Sequence, residues 1–182
     1  MRLHKTAHTS QPWRIHALAP DFKVEDVWAL PTPGSPGDLA RLVDQFTSGP
    51  GNFSGATKAL FALRWRLGEL FGWDSAEPRT FRDRLPADLR DSRGPDPRAV
   101  PMRSVYLTET EWVAEISNRT VHALMHIGWV GDHAQMAVLV KPNGLFGTLY
   151  MAAIMPFRYL VVYPALMRMI GRGWNQTRQN DR

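Results

Sequence analysis

Residues 156–174 read PFRYLVVYPALMRMIGRGW, an apolar stretch that three arginines interrupt. On a helical wheel Arg158, Arg168 and Arg172 fall within an arc of roughly 80°, and the bulky apolar side chains occupy the opposite side. A helix that spans a membrane would expose this charged stripe to lipid at a high cost. The stretch therefore predicts an amphipathic helix of a soluble fold, with a kink near Pro164 because proline lacks a backbone N–H. A helix lying in a membrane surface is the alternative.

The partner for that helix is a predicted antiparallel sheet. Residues 103–142 alternate between apolar and polar side chains, which is typical of strands. With two-residue turns at 109–110, 118–119 and 131–132 the register of four strands is fixed, and one face becomes apolar. That face carries Val105, Leu107, Trp112, Ala114, Ala123, Met125, Ile127, Trp129, Ala134, Met136, Val138 and Val140.

The other face carries the candidate catalytic residues. In the predicted register Glu115 lies opposite His122 and Glu111 lies opposite His126. Two Glu–His pairs could supply general bases, but we favour solvated cross-strand pairs because the opposite face is the one that needs a cover. On a strand the two histidines are roughly 13 Å apart, too far to hold one ion, so we predict no metal site.

Turn and cap signals define the remaining elements. Residues 24–31 predict a strand, and residues 36–46 predict a helix that Ser35 caps. Residues 55–72 predict a second, amphipathic helix. Residues 145–155 are ambiguous between strand and helix, and we interpret them as the last strand.

Composition excludes several classes of protein. The 182 residues suit one domain, predicted over 12–175, with flexible tails at 1–11 and 176–182. The net charge is +5, but the arginines of 79–98 alternate with aspartates, so we expect no nucleic-acid binding. Cysteine is absent, which excludes disulfides and thiolate chemistry. The N-terminus has no apolar stretch typical of a secretory signal, and we expect a cytoplasmic protein without a cofactor.

The order strand, two helices, antiparallel strands and long helix predicts an α+β fold of the helix-grip type, in which the sheet wraps around the last helix. Three stretches, FRDRLPADLR (81–90), EISNRTVHALMHIGWV (115–130) and residues 156–174, resemble the domain of unknown function 2867 family. The resemblance implies a fold of the START/polyketide-cyclase type without an established activity or catalytic motif. Some relatives carry a dinucleotide-binding domain, but this chain has no G-x-G-x-x-G pattern.

These observations favour a protein that binds a hydrophobic small molecule between the sheet and the C-terminal helix. The predicted cavity wall consists of Trp112, Met125, Ile127, Trp129 and Met136. Ordinary core packing without a usable cavity is the competing interpretation. A second hypothesis is an enzyme of cyclase or hydrolase type that uses the Glu–His pairs in the same cavity.

Two further hypotheses concern surfaces. Residues 74–102 are rich in proline, arginine and aspartate, and we expect no core there. They are predicted to border the cavity mouth as a lid, with Phe81 and Leu85 as apolar contacts; a loop far from the cavity is the alternative. A homodimer through a sheet edge, or through an apolar patch at Phe61 and Trp65, is also possible.

Overall fold

A six-stranded antiparallel sheet organises the protein. The computed structural model describes residues 1–48, 80–97, 102–118 and 121–180. The strands, in the spatial order β1-β2-β6-β5-β4-β3, are β1 (Arg2–Leu3), β2 (Lys23–Pro33), β3 (Arg103–Leu107), β4 (Glu111–Ser117), β5 (Val121–Val130) and β6 (His133–Pro142). A long C-terminal helix packs on this sheet, so the predicted α+β class is confirmed and the arrangement is consistent with a helix grip.

Helical segments cover the sheet on both sides. They are α1 (Thr6–Thr9), α2 (Arg14–Leu18), a 3-10 turn (Pro36–Asp38), α3 (Leu39–Ser48), a 3-10 turn (Phe81–Arg84), α4 (Ala87–Arg90), α5 (Gly144–Phe157), a π turn (Arg158–Val162) and α6 (Tyr163–Asn180). The helix predicted after Ser35 is confirmed, and the Asp38 carboxylate accepts the Ser35 amide at 2.9 Å. The second predicted helix, with Phe61 and Trp65, lies outside the described residues.

The predicted register is confirmed in the β5–β6 hairpin. Met125 pairs with Val138, and Ile127 pairs with Met136. A two-residue turn fixes this register, and Gly131 supplies its positive φ of 61°.

The other two hairpins differ from the prediction. In β4–β5, Trp112 pairs with Ile127 instead of Met125, a shift of two residues, because the strands stay paired one residue further than predicted: the Asn118 amide still donates to the Val121 carbonyl at 3.0 Å. An even shift keeps every side chain on its predicted face. In β3–β4 the predicted pair of Leu107 with Trp112 is confirmed, but a bulge between Ser104 and Tyr106 turns Val105 to the other face of the sheet.

The two sheet faces have different covers. We call the side under the C-terminal helix the helix face; its core joins Trp112, Ile127 and Met136 to Tyr163, Ile170, Trp174 and the α3 residues Leu39, Leu42 and Val43. We call the opposite side the cap face. Its core joins Val113, Leu124, Ala137 and Leu139 to Trp13, Ile15, Ala19, Phe22, Phe81, Leu85 and Leu89.

Two segments that we expected outside the core build the cap face. Residues 1–11 are not a loose tail, since β1 pairs with β2 and His8 is fully buried. Residues 80–92 are not a solvated loop, and they do not border the helix face. Phe81 and Leu85, predicted as lid contacts of the cavity, are buried in the cap-face core, on the wrong side of the sheet for a lid.

The C-terminal part of the chain also differs from the prediction. Residues 145–155 belong to helix α5 and not to a strand, and α5, the π turn and α6 run without a break to Asn180. By length and composition Gly147–Gln176 could cross a membrane, which is weak evidence because a core helix of a soluble protein passes the same test. Its Tyr163 and Trp174 are buried against the helix face.

Candidate functional site

The five residues predicted to line a cavity all lie on the helix face. Trp112, Ile127, Trp129 and Met136 are closed into the core beneath α6. Met125 is only half-buried, although β5 is a central strand of the sheet. Four of the five are therefore packing residues of the helix face, and one has open space beside it.

Met125 belongs to a strip of half-buried side chains in the middle of the sheet. Its neighbours on the helix face are Ile116, Ala123 and Val138, and all four are partly accessible to solvent. Below this strip α5 contributes Met151 and Ile154, and above it α6 covers the buried tryptophans. Because central strands are usually covered, the strip marks the place where the helical cover is thinnest.

A polar cluster around the buried Asp26 lies at one end of this strip. Asp26 on β2 pairs with Val138, which in turn pairs with Met125, so Asp26 lies two strands, or about 10 Å, from Met125. The Asp26 carboxylate accepts hydrogen bonds from Arg158, from the Tyr159 hydroxyl and, at 2.6 Å, from the Tyr163 hydroxyl. These bonds satisfy the carboxylate in an interface where an unpaired charge would be costly.

The rings of the cluster are held by further contacts. Arg158 also donates to the Tyr163 hydroxyl at 2.7 Å, and Trp28 packs on the Tyr163 ring with centroids 4.7 Å apart. Burial is the main reason that the pKa of Tyr163 is raised. Burial, with the Asp26 hydrogen bond, raises the pKa of Tyr159 to about 12. Both hydroxyls therefore keep their protons at neutral pH and act as donors to Asp26.

Sequence analysis missed this cluster, although a signal was present. Alternation along β2 places Asp26 on the same face as Trp28 and Leu30, an acid in an apolar row. Arg158 was assigned to the exposed arginine stripe, and that assignment is wrong because its side chain is 14% exposed and paired with Asp26. A helical wheel drawn with 3.6 residues per turn misplaces Arg158, because a π turn begins at this residue. A π turn contains more residues than an α-helical turn, so the side chains on its two sides no longer keep the predicted angular positions.

The catalytic candidates lie on the cap face and are buried. Glu111, Glu115, His122 and His126 are each at most 5% exposed, so the expected solvated pairs are not what the structure contains. They also face away from the C-terminal helix, so they do not line a cavity beneath it. The two-residue shift of register makes each Glu–His pair diagonal, and the pairs persist because diagonal neighbours remain within reach of long side chains.

Glu111 anchors the N-terminal segment. Its carboxylate accepts the Arg14 amide at 2.8 Å at the start of α2, the Tyr106 hydroxyl at 3.1 Å and the His126 Nε2–H at 3.1 Å. Burial would raise the pKa of Glu111, but the hydrogen bonds from His126, Arg14 and Tyr106 outweigh it and leave the pKa lowered. Glu111 is thus an ionised cap at the start of α2.

The histidines extend this network. Burial lowers the pKa of His126, so it is neutral, and Glu111 fixes its proton on Nε2. His126 Nδ1 then accepts from His8 Nε2–H at 3.1 Å. Burial lowers the pKa of His8 to about 2, and its Nδ1 has no hydrogen-bond partner within the described ranges.

Glu115 anchors the second cover in the same way. Its carboxylate accepts the Phe81 amide at 2.8 Å, the Thr80 hydroxyl at 3.1 Å and His122 Nε2–H at 2.9 Å. Each glutamate of β4 therefore caps a short helical segment and receives a histidine from β5. These contacts are structural clamps, because every carboxylate oxygen is already occupied by a donor of the protein.

Comparison with known proteins identifies a family for this chain. The model of the DUF2867 family, described as a protein of unknown function, matches residues 18–165. The chain belongs to this family. No curated protein and no solved structure matches it. The DUF2867 match includes β2 through β6, Asp26 and the arginine and tyrosines that surround it.

Proposed function

We propose that this DUF2867 protein binds a hydrophobic small molecule in a groove between the helix face and the C-terminal helix. The observation that carries the proposal is the strip of half-buried apolar side chains in the centre of the sheet, at Ile116, Ala123, Met125 and Val138. Central strands of a covered sheet are normally closed, so this strip is the natural place for a guest to complete the core.

Two features of the surroundings support a ligand there. The helix-face core to which Met125 belongs has other partly buried side chains, and its flexible thioethers adapt to guests of different shape; these side chains are Met102, Leu107, Tyr159, Leu166 and Met167. The Asp26 cluster gives one end of the strip a polar boundary, as binding sites for small molecules generally have. The expected cytoplasmic location, the homodimer and the absence of nucleic-acid binding stay predictions.

The test is a titration with Nile red, a neutral dye that fluoresces in apolar surroundings. An Ala123→Phe variant fills the strip and is expected to weaken dye binding at least about tenfold, since a phenyl group would occupy the space that the dye needs. The matched control is Leu149→Ser, which removes an apolar side chain that is 61% exposed on α5.

The control separates groove binding from adhesion to the surface of α5. The proposal expects Leu149→Ser to bind the dye within about twofold of the unaltered protein. Weakened binding in Leu149→Ser together with full binding in Ala123→Phe would overturn it. Circular dichroism of both variants establishes that each is folded before the titrations are compared.

A further inference from the structure

The Asp26 cluster leaves part of one guanidinium unused. Arg158 Nη2 donates to Asp26 and to the Tyr163 hydroxyl. Its Nε and Nη1 groups have no hydrogen-bond partner among the residues that the structure describes, and they are not sealed from solvent. A guanidinium carries five N–H donors in a planar fork, so three donors of Arg158 face accessible space.

The Asp26 carboxylate, which binds Arg158, lies beside the apolar strip. Asp26 holds the guanidinium from below, and in the sheet Val138 and then Met125 follow Asp26 in one cross-strand row. Adjacent strands are about 4.8 Å apart, so a ligand on Met125 and Val138 would have one end within reach of Arg158. Tyr163 and Asp26 fix the guanidinium, which lowers the entropy lost when it binds a ligand.

The charges of the cluster specify the sign of a ligand. Arg2 stacks over the Tyr159 ring at 4.3 Å and donates to its hydroxyl at 3.0 Å. Two arginines therefore accompany one buried carboxylate, which leaves one positive charge in excess. Glu25, the next acid along β2, is paired with Lys5 at 3.2 Å and does not cancel this charge. A monoanion would balance the cluster.

We propose that the ligand is an amphipathic carboxylic acid whose carboxylate binds the free edge of Arg158 and whose apolar part lies on Met125 and Val138. The planar fork of arginine matches a carboxylate with two parallel hydrogen bonds. This inference rests on the proposed function and names the ligand class.

The experiment compares decanoate with 1-decanol, which has the same chain without the charge, as competitors for Nile red. Decanoate is expected to bind at least about tenfold more tightly than decanol, because charge-assisted hydrogen bonds are the stronger kind. In an Arg158→Gln variant that preference should disappear while the affinity for decanol is unchanged. Arg168→Gln, which alters an exposed arginine of α6, is the matched control and should keep the preference.

A second variant covers the case in which Arg158→Gln fails to fold because Asp26 loses its counter-charge. The double variant Asp26→Asn, Arg158→Gln removes both charges, keeps hydrogen-bonding groups at both positions and should show no preference for decanoate.

The experiment distinguishes a failure of the carboxylate inference from a failure of the proposed groove. Equal affinity for decanoate and decanol in the unaltered protein, or a preference that survives in the folded variants, would overturn the carboxylate inference and leave a groove for neutral ligands. If neither compound displaces Nile red, the groove itself is refuted together with its ligand class.

Discussion

The two faces of the sheet are covered in opposite ways. The helix face lies under a continuous helical run from Gly144 to Asn180, whose buried ion pair is the Asp26–Arg158 contact. The cap face lies under helical segments of four or five residues, which carry few apolar side chains each. There Glu111 and Glu115 bind the first amides of the covering segments.

The difference shows that the length of a helical segment determines whether apolar packing or hydrogen bonds attach it to the sheet. A long amphipathic helix buries enough apolar area for packing to supply much of its attachment. A segment of one turn does not, and its free amides must be satisfied when they are buried. The glutamates of β4 attach these short segments to the sheet and accept hydrogen bonds from their first amides. Close packing adds to this attachment, since a Cβ at Gly128 would lie 2.7 Å from the Trp13 ring.

The largest effect is expected on the helix face, from Asp26→Ala. The substitution removes a buried carboxylate and leaves Arg158 and the Tyr159 and Tyr163 hydroxyls without their acceptor, which should lower the free energy of unfolding by about 3–5 kcal/mol. Urea denaturation measures this. Glu25→Ala, in the next position and partly exposed, is the control and should cost about 1 kcal/mol or less. Equal losses in the two variants would mean that the cluster is not the polar anchor of this face.

A smaller effect is expected on the cap face, from Glu111→Ala. It removes the acceptor of the Arg14 amide, Tyr106 and His126, and should cost about 2–3 kcal/mol. The N-terminal segment should loosen first, so trypsin should cleave at Arg14 faster than in the unaltered protein. Glu109→Ala, in the exposed turn before β4, serves as the control. Unchanged cleavage at Arg14 would contradict the clamp.

For one histidine and one pH unit, the loss of stability on acidification should be smaller than these losses, and it should arise on the cap face. Burial holds the pKa of His8 at about 2 and lowers that of His126, whereas both are near 6.5 in the unfolded chain. The unfolded state therefore binds more protons below pH 6.5, and stability should fall with the pH below that point, by up to about 1.4 kcal/mol per pH unit for each histidine.

A His8→Phe variant tests the assignment, because it keeps a buried ring without the titrating nitrogen. Denaturation between pH 7 and pH 5 should show a shallower loss of stability than in the unaltered protein. An identical slope in the two proteins would show that His8 is not a source of the acid sensitivity.

Local patterns were sufficient for part of this molecule. Alternation with a two-residue turn fixed the β5–β6 register, and Ser35 marked the start of the α3 region. Period two also placed the Glu–His residues on one face, and an error of two residues in register did not change that. These features depend on residues a few positions apart, which a sequence displays directly.

Tertiary structure decided what covers each face. Residues 145–155 are apolar enough for a strand or a helix, and only packing chooses between them. The burial of Glu111 depends on Arg14, which lies 97 positions away, and the Arg158–Asp26 pair spans 132 positions. Nothing local shows that an N-terminal segment will bury two histidines, or that a π turn will direct an arginine inward. Such contacts depend on which distant segments meet, and the folded chain alone determines that.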